Sequence, residues 1–208
     1  MSIQLGSVAP DFTAQTSEGE IKLHDWIGSE WCVFFSYPRD FSAVCMTELG
    51  LVSRLQPELA KRNTKALALA MTSAEKHKEW VPDFLAQGCA LNFPLVADPD
   101  GAVAGLYHML HPQHAEGVTP RCLFIIDPNR KIRMAAYYPT SVGRNFDEVL
   151  RIIDSLQLNG RHGLTTPANW RPGEDAVIPP GINDEQARAK FPDHSRVMPY
   201  LRMVRPPE

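Results

Sequence analysis

The stretch SYPRDFSAVCMTELG, from Ser36 to Gly50, sets a cysteine, Cys45, just after a Pro-Arg-Asp turn and at the start of a helical pattern. A thiol reacts as thiolate, and the beginning of a helix offers unpaired N–H donors and a partial positive charge that favour the anion. Ser42, three residues upstream, brings a hydroxyl able to donate to the sulfur or to an incoming oxygen, and Pro38 can wall the site and limit water. The chemistry on offer is attack by sulfur in a small, dry, donor-rich pocket. Taken alone, a cysteine in a helix's first turn reads as small apolar filler. Its company decides otherwise.

The elements that must hold this pocket are visible on either side of it. CVFFSYP (Cys32 to Pro38) is a short apolar run suited to a buried strand and stopped by Pro38. After it, Val44, Leu49, Val52, Leu55 and Leu59 recur at three- and four-residue steps, which predicts a helix kinked at Pro57. KALALAMT (Lys65 to Thr72) predicts a second buried strand, and SAEKHKEWVPDFLAQG a helix capped by Ser73 and closed at Gly88. DGAVAGLYHML predicts a short helix, CLFIIDPNRKIRMAAYY two strands joined by an Asp-Pro-Asn-Arg turn, and Asn145 to Leu158 a last long helix. Strands alternating with helices and ending in an antiparallel pair give an α/β chain, a mixed central sheet flanked by helices, in the thioredoxin-like layout.

The expected organisation is one such domain over residues 1–160 and a C-terminal extension over 161–208. Eight of the 18 prolines lie from Pro167 to Pro207, and only NDEQARAKF (Asn183 to Phe191) has a helical pattern there. That composition predicts an extended arm lying on a surface, most simply that of a second subunit. Charged residues make up 22% of the chain, the net charge is -3, and no block of like charge stands out, so nucleic acid and membrane surfaces are not expected partners. The opening MSIQLGSVAPDF has no basic segment followed by an apolar one, and no apolar run approaches the ~20 residues of a membrane span, so a cytoplasmic protein is expected. Its four cysteines, Cys32, Cys45, Cys89 and Cys122, form no C-x-x-C pair, which argues against a disulfide framework or a zinc site.

Pro38, Ser42, Cys45, Thr47 and Glu48 together match Pro-x-x-x-Thr/Ser-x-x-Cys, and the whole stretch resembles the peroxiredoxins of the one-cysteine class. GSVAPDF is similar to that family's opening, VTPRCLFIIDP to its arginine strand, YYPTSVGRNFDEVLRIIDSLQL to a segment of the one-cysteine class, and TTPANWRPGE to the start of its C-terminal arm. The resemblance implies a thiol peroxidase that reduces hydrogen peroxide and organic hydroperoxides, without a cofactor or metal, and a homodimer. Carried over by position, Cys45 is the peroxidatic nucleophile, and Arg121 is the cation that favours its thiolate and holds the peroxide. Ser42 donates to the peroxide oxygens, Pro38 shields the sulfur, Glu48 orients the arginine network, and Arg144 and Tyr37 support the site. Negative charge builds on the departing oxygen as the O–O bond breaks, so donors fixed along that line stabilise the transition state more than the ground state.

Several positions depart from the family pattern. No cysteine follows Cys122, so an intersubunit disulfide of the usual two-cysteine kind cannot form, and an outside thiol or other donor must reduce the sulfenic acid. Cys32, Cys89 and Cys122 are expected to be structural, with an atypical resolving role for Cys89 as the alternative. Tyr37 stands where many one-cysteine members have histidine, and Ser42 where threonine is commoner. GSEWC (Gly28 to Cys32) lies where some class members carry a phospholipase serine; Glu30 takes that serine's place, so no lipase activity is expected although His24 is kept. His108, His111 and His114 are three apart, but Pro112 interrupts any helix and no further ligand completes a set, so an exposed loop is expected rather than a metal site. Two other uses of the same fold are a peroxide-sensing regulatory protein and a holdase chaperone.

Overall fold

The computed structural model describes residues 3–110 and 117–207. By its backbone contacts the chain divides into two units, Met1–Phe146 and Asp147–Glu208. In the first, β1 (Thr13–Thr16) and β2 (Gly19–Lys22) form a hairpin followed by α1 (Leu23–Ile27). Then come β3 (Trp31–Ser36), α2 (Ala43–Arg54), α3 (Gln56–Lys61), β4 (Thr64–Ala70), α4 (Ala74–Ala86), β5 (Leu95–Ala97) and α5 (Ala102–Leu106). The hairpin of β6 (Arg121–Ile126) and β7 (Ile132–Tyr138) completes the sheet.

The sheet order is β2-β1-β5-β4-β3-β6-β7, with β3, β4 and β5 parallel and the remaining pairings antiparallel. This is the mixed, thioredoxin-like sheet that the strand and helix pattern predicted. β3 lies in its middle, its neighbours set by Phe34 opposite Leu67 on one side and Phe124 on the other. Successive strand residues face opposite sides. Cys32 and Phe34 therefore join one core with Cys122, Phe124, Tyr107 and Leu23, while Phe35 faces Phe93 and Phe146 on the other side. Phe34 packs edge-on to Tyr107, ring centroids 4.8 Å apart, and sits beside Phe12.

The helices follow the sequence closely, with one break where proline demands it. Pro57 sits in the first turn of α3, so the expected kink becomes two helices meeting at Leu55. A proline has no N–H for the carbonyl four residues back, here that of Ser53. The Asn92 side chain donates to that carbonyl instead, at 3.2 Å. Ser73 caps α4 by accepting from the Lys76 amide, as its sequence position predicted. Three short strands, β1, β2 and β5, have too few residues for a period to be read.

The second unit starts with α6 (Phe146–His162), which straddles the division and runs four residues beyond the predicted end. The division thus falls at the start of α6, whereas the sequence reading drew it near that helix's end, at residue 160. Leu158 of α6 belongs to the same apolar cluster as Leu164, Trp170, Ile178, Phe191 and Val204, which ties the helix to the C-terminal segment. β8 (Ala176–Val177), β9 (Ser195–Met198) and β10 (Leu201–Val204) form a small sheet in the order β8-β10-β9. α7 (Asp184–Lys190) carries a reciprocal cap, in which the Asn183 side chain accepts from the Gln186 amide and the Gln186 side chain from that of Asn183. The proline-rich tail is therefore more than an extended arm, because it has strands and an apolar core of its own.

Phe34→Ala, which empties a fully buried aromatic position of β3, is expected to lower the unfolding free energy by about 3–5 kcal/mol. Urea unfolding followed by far-UV circular dichroism measures it.

Candidate active site

β3 delivers the chain to the site and α2 carries it away. Between them, Tyr37 and Pro38 are buried, Arg39 is exposed, and Asp40 is buried again. Phe41 has φ of 54°, the left-handed region that a bulky side chain avoids, at a cost of about 1–3 kcal/mol unless its surroundings hold it there. Its exposed ring packs at a tilt against Trp80 of α4, centroids 5.9 Å apart. Ser42 is the extended N-cap of α2, and its side chain makes no capping bond. Cys45 follows as the third helical residue, fully buried, where the unpaired amides of the first turn converge.

Two arginines come to this turn from distant parts of the chain. Arg121, first residue of β6, brings Nη1 to 3.5 Å from Cys45 Sγ and 2.7 Å from Glu48 Oε2, and its Nε and Nη2 donate to the Thr140 carbonyl at 3.1 and 2.9 Å. Arg144 donates from Nη2 to the same Glu48 Oε2 at 2.7 Å, and from its backbone N–H and Nε to Glu48 Oε1 at 2.8 and 2.9 Å. Its Nη1 reaches the carbonyls of Ser36 and Cys122, each at 2.8 Å, and its guanidinium lies over the rings of Phe35 and Phe146. Arg121, Glu48 and Arg144 are 1%, 3% and 6% exposed. Two cations thus share one carboxylate away from water, leaving one net positive charge beside the sulfur. Burial pushes the Arg144 guanidinium below its ordinary value, against the pull of Glu48. A thiolate at Cys45 makes the cluster neutral.

Beside it lies a second buried polar group. The Tyr37 hydroxyl donates to Asp40 Oδ1 at 2.8 Å and meets His77 Nδ1 at 3.3 Å. His77 Nδ1 lies 2.9 Å from Asp40 Oδ2, and Nε2 lies 3.1 Å from the Val96 carbonyl. Burial, then the Asp40 carboxylate, holds the Tyr37 phenol far above its ordinary value, so it stays a donor.

Of the residues the sequence singled out, Cys45, Glu48, Arg121 and Arg144 meet directly. Pro38 and Ser42 flank the turn, and Tyr37 points its hydroxyl at Asp40. Asp40, His77 and the Thr140 carbonyl escaped the sequence reading. His77 had a signal, since it shares the buried stripe of α4 with Trp80 and Phe84 at helical spacing. All four cysteines are free. Burial pushes the Cys32 thiol up, and that of Cys122 up to about 11, so both are thiols in the core. Cys89 Sγ donates to the Gly50 carbonyl in α2 at 3.5 Å. Glu30 pairs with Lys65 at 2.5 Å, and His24 Nε2 meets the Ala9 carbonyl at 2.8 Å. His111 and His114 lie outside the described residues, and among the described residues no group of three or more histidine, cysteine and carboxylate side chains is placed to hold a metal.

Residues 5–135 match the AhpC/TSA family, and residues 155–194 match the C-terminal domain of 1-Cys peroxiredoxin. The 1-Cys peroxiredoxin of Dictyostelium discoideum is 41% identical over 207 residues, covering 99% of this chain and 86% of its own. A crystal structure of a cysteine-to-serine mutant of the peroxiredoxin 6 of Arenicola marina superposes with a TM-score of 0.94 at 38% identity, covering all of both chains. The yeast mitochondrial 1-Cys peroxiredoxin, whose thiol is resolved through glutathione and thioredoxin systems, superposes with a TM-score of 0.92 at 40% identity over 98% of this chain and 99% of its own.

Glu48→Gln, which leaves two buried guanidiniums without their shared counter-charge, is expected to lower the unfolding free energy by about 3–5 kcal/mol. Denaturant titration of the reduced protein tests it, and a change under about 1 kcal/mol would mean the cluster is better hydrated than its burial implies.

Proposed function

The chain belongs to the peroxiredoxin family, in its one-cysteine class, and on that premise we propose that Cys45 is the sulfur that attacks peroxide, with Arg121 as the cation that aligns it. The protein is a thiol peroxidase, reducing hydrogen peroxide and organic hydroperoxides through a sulfenic acid that an external reductant recycles. The observation that carries the assignment is Arg121 Nη1 at 3.5 Å from Cys45 Sγ, inside a buried cluster with one positive charge in excess.

In this reading the Cys45 thiolate attacks one oxygen of the hydroperoxide. An S–O bond forms as the O–O bond breaks, and the departing oxygen leaves as water or alcohol after taking a proton. Sulfur is oxidised by two electrons and the peroxide reduced by two. Arg121 and the first-turn amides of α2 stabilise charge on the oxygens, and the Ser42 hydroxyl, free of any capping role, donates to them. Glu48 and Arg144 hold Arg121 in place, and Pro38 limits water. An external thiol then forms a mixed disulfide with Cys45, releasing water, and a second thiol displaces it. Glutathione or a thioredoxin fits that step, as in the yeast relative.

We place the protein in the cytoplasm; among the described residues, no helix is long and apolar enough to cross a membrane. We also propose a homodimer, with a peroxiredoxin domain over residues 1–160 and an extension over 161–208. The partly exposed β7, last strand in the sheet order, is one edge available to a second copy.

Adding one equivalent of hydrogen peroxide to the reduced protein with a sulfenic-acid trap present is expected to label Cys45 alone, read by peptide mass mapping. A disulfide from Cys45 to Cys89 or Cys122 would replace the external-thiol cycle with an internal one. Arg121→Ala is expected to slow Cys45 oxidation by about 10²- to 10³-fold in stopped-flow fluorescence, and an unchanged rate would remove Arg121 from the chemistry.

A further inference from the structure

The Tyr37–Asp40–His77 group is buried, yet the mechanism above makes no direct use of it. Both ring nitrogens of His77 face acceptors, Nδ1 the Asp40 carboxylate at 2.9 Å and Nε2 the Val96 carbonyl at 3.1 Å. A carbonyl oxygen can only accept, so Nε2 must carry a proton. On the other side, the Tyr37 hydroxyl spends its proton on Asp40 Oδ1, so the nearby phenol oxygen has none to give Nδ1. The arrangement in which every member is satisfied and Asp40 is a carboxylate has protons on both nitrogens.

We propose that His77 is a buried imidazolium, ion-paired with Asp40, and that it acts as a positioning residue for peroxide reduction by holding the loop that carries Pro38 and Ser42 against the Cys45 turn. This rests on the peroxidase reading of the site. Asp40 lies midway along the loop, two residues from Pro38 and two from Ser42, and it is the loop's buried carboxylate. Its neighbour Phe41 is held in the left-handed region, a conformation that persists only where the surroundings enforce it. α4 enforces it twice from one face, with His77 gripping Asp40 and Trp80, three residues along, packing its ring at a tilt against those of both Phe41 and Tyr37. Loss of the charge on His77 would leave Asp40 buried with only the phenol as donor, and the loop would relax away from the sulfur.

The charge state is tested without peroxide. In reduced, 15N-histidine-labelled protein, His77 is expected to show two ring N–H resonances in a proton–nitrogen correlation spectrum, assigned by their loss in His77→Gln. A single ring proton, as for a neutral imidazole accepting from a protonated Asp40, would overturn the proposal. The positioning role is read as the ratio of two second-order rates at Cys45, oxidation by hydrogen peroxide over alkylation by iodoacetamide. Alkylation needs the thiolate but not the alignment of the loop donors, so His77→Gln is expected to lower the ratio about tenfold. Equal scaling of both rates, as from a fraction of unfolded protein, would reduce His77 to a structural part. Should His77→Gln not fold, Asp40→Asn carries the same comparison. The spectrum stands even if Cys45 proves not to be the peroxidatic sulfur, so the two readings fail separately.

Discussion

One carboxylate, that of Glu48, has two guanidiniums to hold, and the arrangement of the site depends on it. Oε1 takes two donors from Arg144, and Oε2 takes one from each arginine. Bringing three charges out of water costs several kcal/mol for each, so the cluster survives only because almost every donor finds a partner. The remaining donors of Arg121 go to Thr140, and those of Arg144 to Ser36 and Cys122. What stays uncompensated is one unit of positive charge, and it faces the sulfur.

That constraint also knits the backbone together. Arg144 bonds to carbonyls at the end of β3 and the start of β6, adjacent strands of the sheet. The Ser36 hydroxyl joins the same two strands, donating to the Pro120 carbonyl at 2.7 Å and accepting from the Cys122 amide at 3.1 Å. The loop leaving β3 is therefore fixed at its root by the arginine cluster and along its length by α4. The entropy of ordering this loop is thereby met in folding.

Strand alternation separates Cys45 from the thiols of Cys32 and Cys122. Arg121 and Cys122 are neighbours in sequence but face opposite sides of β6, as their adjacency predicts. The arginine reaches Cys45, while the Cys122 sulfur enters the apolar core with Cys32 and Phe124. Burial there pushes both thiols above their ordinary values, which leaves little thiolate on either.

The sequence alone determined the elements whose signals are local. Apolar runs marked β3, β4 and β6, three- and four-residue periodicity marked α2, Ser73 and Gly88 marked the ends of α4, and Pro57 marked a kink. It also placed Cys45 at a helix start with Ser42 and Pro38 beside it, because that spacing is itself the motif. Short strands such as β5 and β8 were hidden, since two or three residues cannot display a period, and the tail's prolines masked a sheet that its buried apolar residues support. Only the tertiary structure decided which charges meet. Glu48 is separated from Arg121 by 73 positions along the chain and from Arg144 by 96, and Asp40 from His77 by 37. No local propensity encodes such a contact; it exists because closing the sheet brings these side chains into a dry interior where only a matched partner makes their burial tolerable.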